Sequence, residues 1–197
     1  MKKYTPNSDE KIPGVTFIWS DKVPEQENVI EIGEDVLFRP PCIIYRGAKI
    51  GDNCVISHNS IIQANCVIGN YSKIGNGSNL EREVTIGKNV SIHSLCQIAQ
   101  GTIIEDNVFV SSMTITTSSK RIRHGRDFEM KEKGPYIKFA ARIGPATVIY
   151  SNVTIGRETT IGAGSVVTQD IPDYKIATGS PAKVVKTIPE DELFSKS

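Results

Sequence analysis

The chain has 197 residues, with 23 Lys and Arg against 22 Asp and Glu, so its net charge of +1 offers no broad basic field for nucleic acid. It contains no run of about 18 apolar residues, which argues against a membrane-spanning helix. The opening MKKYTPNSDEK has a positive pair but lacks the apolar stretch of a secretory leader, so a cytoplasmic protein is expected.

Residues 1–31 show no regular period and carry the only tryptophan, Trp19, with Pro6, Pro13 and Pro24. They are expected to cap an open end of the structure that follows. From Ile32 a large apolar residue returns at every sixth position, through Phe38, Ile44, Ile50, Ile56, Ile62, Ile68, Ile74, Leu80, Ile86, Ile92, Ile98, Ile104 and Val110. Six is neither a helical period nor the alternation of a simple strand, and a fixed longer period signals stacked repeats. Gly often follows the aliphatic residue, as at Gly51, Gly69 and Gly87, and Asp or Asn come next, as at Asp52-Asn53 and Asp106-Asn107. These residue types suit tight turns. The fifth position is small or β-branched, as at Ala48, Ser60, Ser72 and Val90. Each hexad therefore reads as a short strand plus a corner, with the aliphatic and the small residue both pointing inward.

A chain that turns after every hexad closes on itself after three, giving an 18-residue coil of triangular section. Successive coils then stack as parallel strands about 4.8 Å apart, with the aliphatics in columns. Cys42, Cys54, Cys66 and Cys96 all occupy the small inward position. Cys42 and Cys96 share a column but lie three coils apart, roughly 14 Å at that spacing, which is beyond disulfide reach. The four are expected to be buried packing thiols.

Residues 116–142, TTSSKRIRHGRDFEMKEKGPYIKFAAR, interrupt the period with a charged segment. Long loops in compact folds are usually functional or disordered. Hexads return over 143–172 at Ile143, Ile149, Ile155, Ile161 and Val167. The tail, 173–197, leaves the repeat. Its Gly179-Ser180-Pro181 should reverse the chain, KVVKTI reads as a strand, and an acidic helical turn should follow.

The chain has three histidines. His124 lies in the interruption beside Arg121, Arg123, Arg126 and Asp127. A histidine near neutral pKa suits a general base, and guanidinium forks match the oxygens of a phosphorylated substrate. His58 and His93 fall on one corner two coils apart, roughly 10 Å, where backbone geometry alone favours such residues.

The stretch VTIGRETTIGAGSVVTQDIPDYKIATGSPAKVV, residues 153–185, with the hexads before it, resembles the hexapeptide-repeat acyltransferases. The resemblance implies an all-β fold, a left-handed parallel β-helix. The left hand comes from the resemblance, since the usual crossover rule favours the right. It further implies acetyl-CoA as acyl donor. Ala163, Thr168 and Gln169 match positions that contact this cofactor, although many relatives have Lys where Gln169 stands, and Lys183 and Lys186 are candidates for its phosphates. Related galactoside and maltose acetyltransferases carry a catalytic His in a segment before their last coils, which makes His124 a candidate base. His93 is the other, since a corner in this family can face a neighbouring subunit of a homotrimer.

GKNVSIHS, IIEDNVFV and ARIGPATVIYSNVTIG resemble most the branch that N-acetylates amino sugars on nucleotide carriers, without any metal. O-acetylation of a sugar or another small molecule is the alternative. Two further readings are a non-enzymatic β-helical scaffold and a protein like the γ-class carbonic anhydrases. The first would need neither the GAGS…GxPA tail nor a charged loop. The second binds zinc through three histidines across an interface, and here His124 would have to join His58 and His93.

Overall fold

A computed structural model of the chain describes residues 1–9, 11–130 and 132–194. Apart from two short 3-10 turns, Glu25–Glu27 and Glu190–Glu192, its regular structure is strand. The strands form three sheets, one along each side of a triangular solenoid. Sheet I carries Ile30–Ile32, Lys49–Ile50, Val67–Ile68, Thr85–Ile86, Ile103–Ile104, Tyr136–Ile137 and Thr154–Ile155. Sheet II runs from Leu37–Phe38 through Val55–Ile56, Lys73–Ile74, Ser91–Ile92, Phe109–Val110 and Arg142–Ile143 to Thr160–Ile161. Sheet III runs from Val15–Ile18 through Cys42–Tyr45, Ser60–Ile62, Asn79–Leu80, Gln97–Ile98, Ile115–Thr116 and Val148–Ile149 to Val166–Val167. The fold is the left-handed parallel β-helix of hexapeptide repeats.

The register shows why six residues make one side. Lys73 pairs with Val55 and Ser91, one 18-residue coil below and above, and Ile74 likewise with Ile56 and Ile92. Every aliphatic of the period therefore sits on its counterpart, and Ile44, Ile50, Ile56, Ile62, Ile74, Leu80 and Ile98 are 0% exposed. Burial of each such side chain contributes about 1.5–3 kcal/mol. The small inward residues line the same core, and their polar atoms are satisfied at a corner, either that of the next coil or, for Thr102, Thr114 and Ser165, their own. Ser72 Oγ donates to the Gly87 carbonyl at 2.8 Å and Ser78 Oγ to that of His93 at 2.8 Å. The thiols do the same: Cys54 donates to the Gly69 carbonyl at 3.2 Å and Cys66 to that of Glu81 at 3.0 Å. All four cysteines are free and buried, and burial pushes their thiols up, that of Cys66 to about 12. They are serine equivalents in the stack, poor nucleophiles in that environment.

Corners turn on a residue of positive φ, commonly Asn, as at Asn53 (56°), Asn59 (57°), Asn65 (61°) and Asn89 (53°). Asn reaches this region more readily than most side chains do. Just before it the stacked corners approach closely: a Cβ on Gly69 would lie 2.6 Å from the Gly87 carbonyl carbon.

The interruption is narrower than the sequence period suggests. Thr116 still occupies an aliphatic place, 2% exposed, with its Oγ1 accepting the Ala99 backbone N–H at 2.7 Å. The strand Tyr136–Ile137 already belongs to sheet I. Among the described residues, 117–130 and 132–135 are thus free of strand, and 116 and 136–142 belong to coils. Ile103 pairs with Tyr136, Phe109 with Arg142 and Ile115 with Val148, so all three sheets cross the loop with one offset of 33 positions in place of 18. The Glu105 carboxylate secures the re-entry, accepting the Tyr136 hydroxyl and, at 2.7 Å, the Phe139 N–H.

The N-terminal segment is woven into the first coil. Val15–Ile18 pairs in parallel with Cys42–Tyr45, while Lys2–Tyr4 runs antiparallel to Ile30–Ile32. Tyr4, Phe17 and Trp19 stack in sequence, with centroids 5.0 and 5.9 Å apart. At the other end Lys175–Gly179 extends sheet II and Ala182–Thr187 returns antiparallel to it. The tail then crosses the outside of the coils, where Phe194 meets Phe139 at 5.4 Å and Arg142 pairs with Glu192 at 3.9 Å. Among the described residues no helix is long and apolar enough to cross a membrane.

Candidate functional site

Two of the three corner edges hold the residues singled out by the sequence. The corner between sheets II and III carries His58, His93 and, in the last full coil, Ala163. The corner between sheets III and I carries the loop 117–135, then Ser151-Asn152, then Thr168-Gln169. Ala163 and Thr168 therefore flank one strand, Val166–Val167, at its two ends. Ala163 and Gln169 are exposed and Thr168 half-buried, so this stretch presents a small-residue surface. Lys183 and Lys186 stand exposed on the returning hairpin strand, paired in register with Thr178 and Ile176.

The two candidate bases are not brought together within one chain. His93 shares its corner with Ala163 but lies three coils away along the register Ser91, Phe109, Arg142, Thr160, roughly 14 Å at the strand spacing. Its ring is exposed and meets the edge of Phe109 at 4.7 Å. Leu95 and Met113 extend this apolar surface along the corner, 62% and 51% exposed, each at the positive-φ position that Asn usually fills. His124 is exposed near the tip of the loop, on the other edge. His58 is tied down through its ring, with Nδ1 2.5 Å from the Pro40 carbonyl. Among the described residues no group of three or more His, Cys, Asp or Glu could hold a metal ion.

The three arginines of the loop separate. Arg123 Nε donates to the Arg126 carbonyl at 3.3 Å, and an Arg126 guanidinium N–H donates to the His124 carbonyl at 2.6 Å, so both staple the loop tip to itself. Arg121 lies over the Phe128 ring, 3.7 Å from its centroid, and faces a cavity of about 500 Å³ at the loop base. The loop contributes Ser119, Lys120, Arg121, Glu129, Met130 and Lys133 to this cavity, and the next coil contributes Ser151 and Asn152. The walls are fixed at their root. Lys133 N–H donates to the Ser118 carbonyl at 2.8 Å, Asn152 N–H to the Lys133 carbonyl at 2.9 Å, and Ser151 N–H to Thr117 Oγ1 at 2.9 Å. Sequence reasoning missed Lys120, Lys133, Ser151 and Asn152, because the cavity joins three separated stretches. The only signal in the sequence was the density of cations at both ends of the loop.

Two family models match the chain. The bacterial transferase hexapeptide (six repeats) model covers 47–82 and 134–169, and the hexapeptide repeat of succinyl-transferase covers 29–64. The two models thus place hexapeptide repeats on both sides of the loop. The second match of the first model begins at 134, beside the strand that resumes the coils. The bifunctional protein GlmU of Thermotoga maritima is 27% identical over 190 residues, covering 80% of this chain and 40% of that one. A protein of Staphylococcus aureus (strain COL), provisionally named an acetyltransferase, is 37% identical over 113 residues, covering 55% of this chain and 57% of that one. The chain thus spans about half the length of these curated relatives. Among solved structures, the UDP-N-acetylglucosamine acyltransferase of Campylobacter jejuni shares the fold, with a TM-score of 0.61 at 17% identity over 92% of this chain and 79% of that one.

Proposed function

We propose that this hexapeptide-repeat protein is an acetyl-CoA-dependent acetyltransferase whose acceptor is an amino sugar on a nucleotide carrier. The observation that carries the reading is the sharing of one corner edge. The loop cavity borders Ser151-Asn152, and Thr168-Gln169, matched to donor contacts, comes one coil later on that edge. An acceptor in the cavity and a pantetheine arm along Val166–Val167 would meet within a coil or two. The names of the Staphylococcus and Campylobacter proteins, acetyltransferase and acyltransferase, agree with the reaction class.

The reaction is direct transfer. The acceptor nitrogen attacks the thioester carbonyl carbon, the new C–N bond forms, and the C–S bond breaks. A base removes the proton from nitrogen, and the departing thiolate takes up a proton. Backbone N–H groups at the corners are suited to stabilise the oxyanion, and alignment of two bound substrates supplies much of the rate. His124 is our choice of base because it rides the loop that walls the acceptor cavity, although the cavity lining itself does not include it. His93 would serve only if a second protomer of a homotrimer brought its loop to the His93 edge. A panel of nucleotide-linked amino sugars with acetyl-CoA, followed by free-thiol release, tests the function. Thiol release with at least one amine, none with its hydroxyl analogue, and a trimeric mass by light scattering are expected. An inert panel together with no calorimetric binding of CoA would overturn the reading in favour of a scaffold. Release with the hydroxyl analogue alone would make the enzyme an O-acetyltransferase.

A further inference from the structure

We infer that the cavity at the base of the loop is a phosphate subsite, built to hold the phosphoryl groups of the acceptor through Lys120, Arg121 and Lys133. This deepens the reading above and rests on it for the identity of the acceptor. At about 500 Å³ the cavity lies within the range of small-molecule sites, roughly 300–1,000 Å³. Three cations line it against one acid, Glu129, and its remaining side chains are two hydroxyls, one amide and Met130.

These cations differ from the other charges of the loop. Arg123 and Arg126 spend donors on loop carbonyls. Among the described residues, no side chain forms an ion pair with Lys120, Arg121 or Lys133. Arg121 is held with its guanidinium carbon 3.7 Å from the centre of the Phe128 ring, a contact to the ring face that spends none of its N–H donors. Lys133 is fixed at both of its backbone groups, one to the loop root and one to the next coil. Collecting like charges in a concavity is unfavourable unless an anion fills it, and a fork flanked by two ammonium groups suits a phosphate or diphosphate.

The same chemistry has a second source, because the acyl donor also carries phosphates. The position of the cavity favours the acceptor: Lys183 and Lys186, the candidates for the donor's phosphates, stand on the terminal hairpin strand, attached to sheet II, whereas the cavity opens beside the corner between sheets III and I.

Calorimetric titration of the full chain with pyrophosphate, uridine diphosphate and CoA, without turnover, tests the assignment. Pyrophosphate and uridine diphosphate should bind, more weakly as salt rises. Lys120→Gln and Lys133→Gln should each weaken both about tenfold, as for loss of one charge-assisted hydrogen bond, and leave CoA binding within about twofold of the parent. Arg123→Gln, which alters only the loop tip, serves as the matched control and should leave all three unchanged. Absence of pyrophosphate and uridine diphosphate binding, equal effects of the Arg123 and lysine variants, or a loss confined to CoA would each overturn the proposal. Lysine-dependent binding combined with an inert acetylation panel would uphold the subsite and reject the acetyl-transfer reading, so the two fail separately.

Discussion

The coils and the loop that leaves them are held by opposite means. In the coils every aliphatic of the period is buried on its counterpart, and the hydroxyls and thiols of the small column donate to corner carbonyls. In the loop Ile122 is 85% exposed, and order comes from a stitched root, one arginine laid on a phenylalanine and two arginines clipped to carbonyls. Repetition supplies stability in the first region and fills its interior with its own side chains. The second region has little apolar burial and carries the cavity. Rigid support and chemical variety are thus assigned to different stretches of one chain.

The largest expected effect breaks the first half of this comparison. Ile68→Asp places a carboxylate in the aliphatic column with no partner, a loss of several kcal/mol, and the protein should fail to accumulate in soluble form. Normal yield and an unchanged melting curve would mean that the column is not the core. The next effect asks which region does the chemistry. His124→Asn should lower turnover about 10²-fold with acceptor KM nearly unchanged, while His93→Asn, in the coils, should have a small effect. The reverse result would move the base to the rigid edge. If neither variant falls tenfold, the amine acceptor binds already deprotonated and no protein base is essential.

Thr116 sharpens the boundary between the regions. Periodicity alone recommends an aliphatic there, yet Thr116→Val would leave the buried Ala99 N–H without its acceptor. A cost of about 1–3 kcal/mol is expected, read as a lower urea midpoint with an unchanged slope; a gain in stability would show that the column outweighs the bond. The smallest effect is at the re-entry. The hydrogen bond from the Tyr136 hydroxyl to the Glu105 carboxylate raises the phenol above its usual value of about 10, burial and the carboxylate charge adding to it. Because the folded state holds this proton more tightly, the contribution is complete below the unfolded value and is lost as pH climbs past 10 through the raised one. Tyr136→Phe should therefore flatten part of the fall in melting temperature in that alkaline window, and an unaltered fall would show that the bond does not stabilise the junction.

These residues also show what the sequence could and could not reveal. The coil register was legible because each six-residue unit repeats the same physical demand, so errors at single positions average out. Thr116 escaped because its hydroxyl satisfies a local N–H that the period does not encode, and Ile137 because position 131, six residues earlier, is a lysine. The segment read as an interruption from 116 to 142 therefore lost a residue at its start and seven at its end. Arg121, Arg123 and Arg126 were legible as a cluster, but their division into one cavity-lining side chain and two staples depends on where the loop folds back. Lys133 and Asn152 could be joined to Lys120 only through the tertiary structure.

The bond from Lys133 to the Ser118 carbonyl, 2.8 Å long, brings the two feet of the loop as close as the ends of a tight turn. With all three sheets stepping over it by a single offset, the solenoid is indifferent to how much chain lies between those feet. The entropic cost of closing a longer excursion grows only with the logarithm of its length. The corner is in effect a socket: cassettes of other sizes could be grafted there and would inherit the neighbouring small-residue surface at Val166–Val167 along with the scaffold.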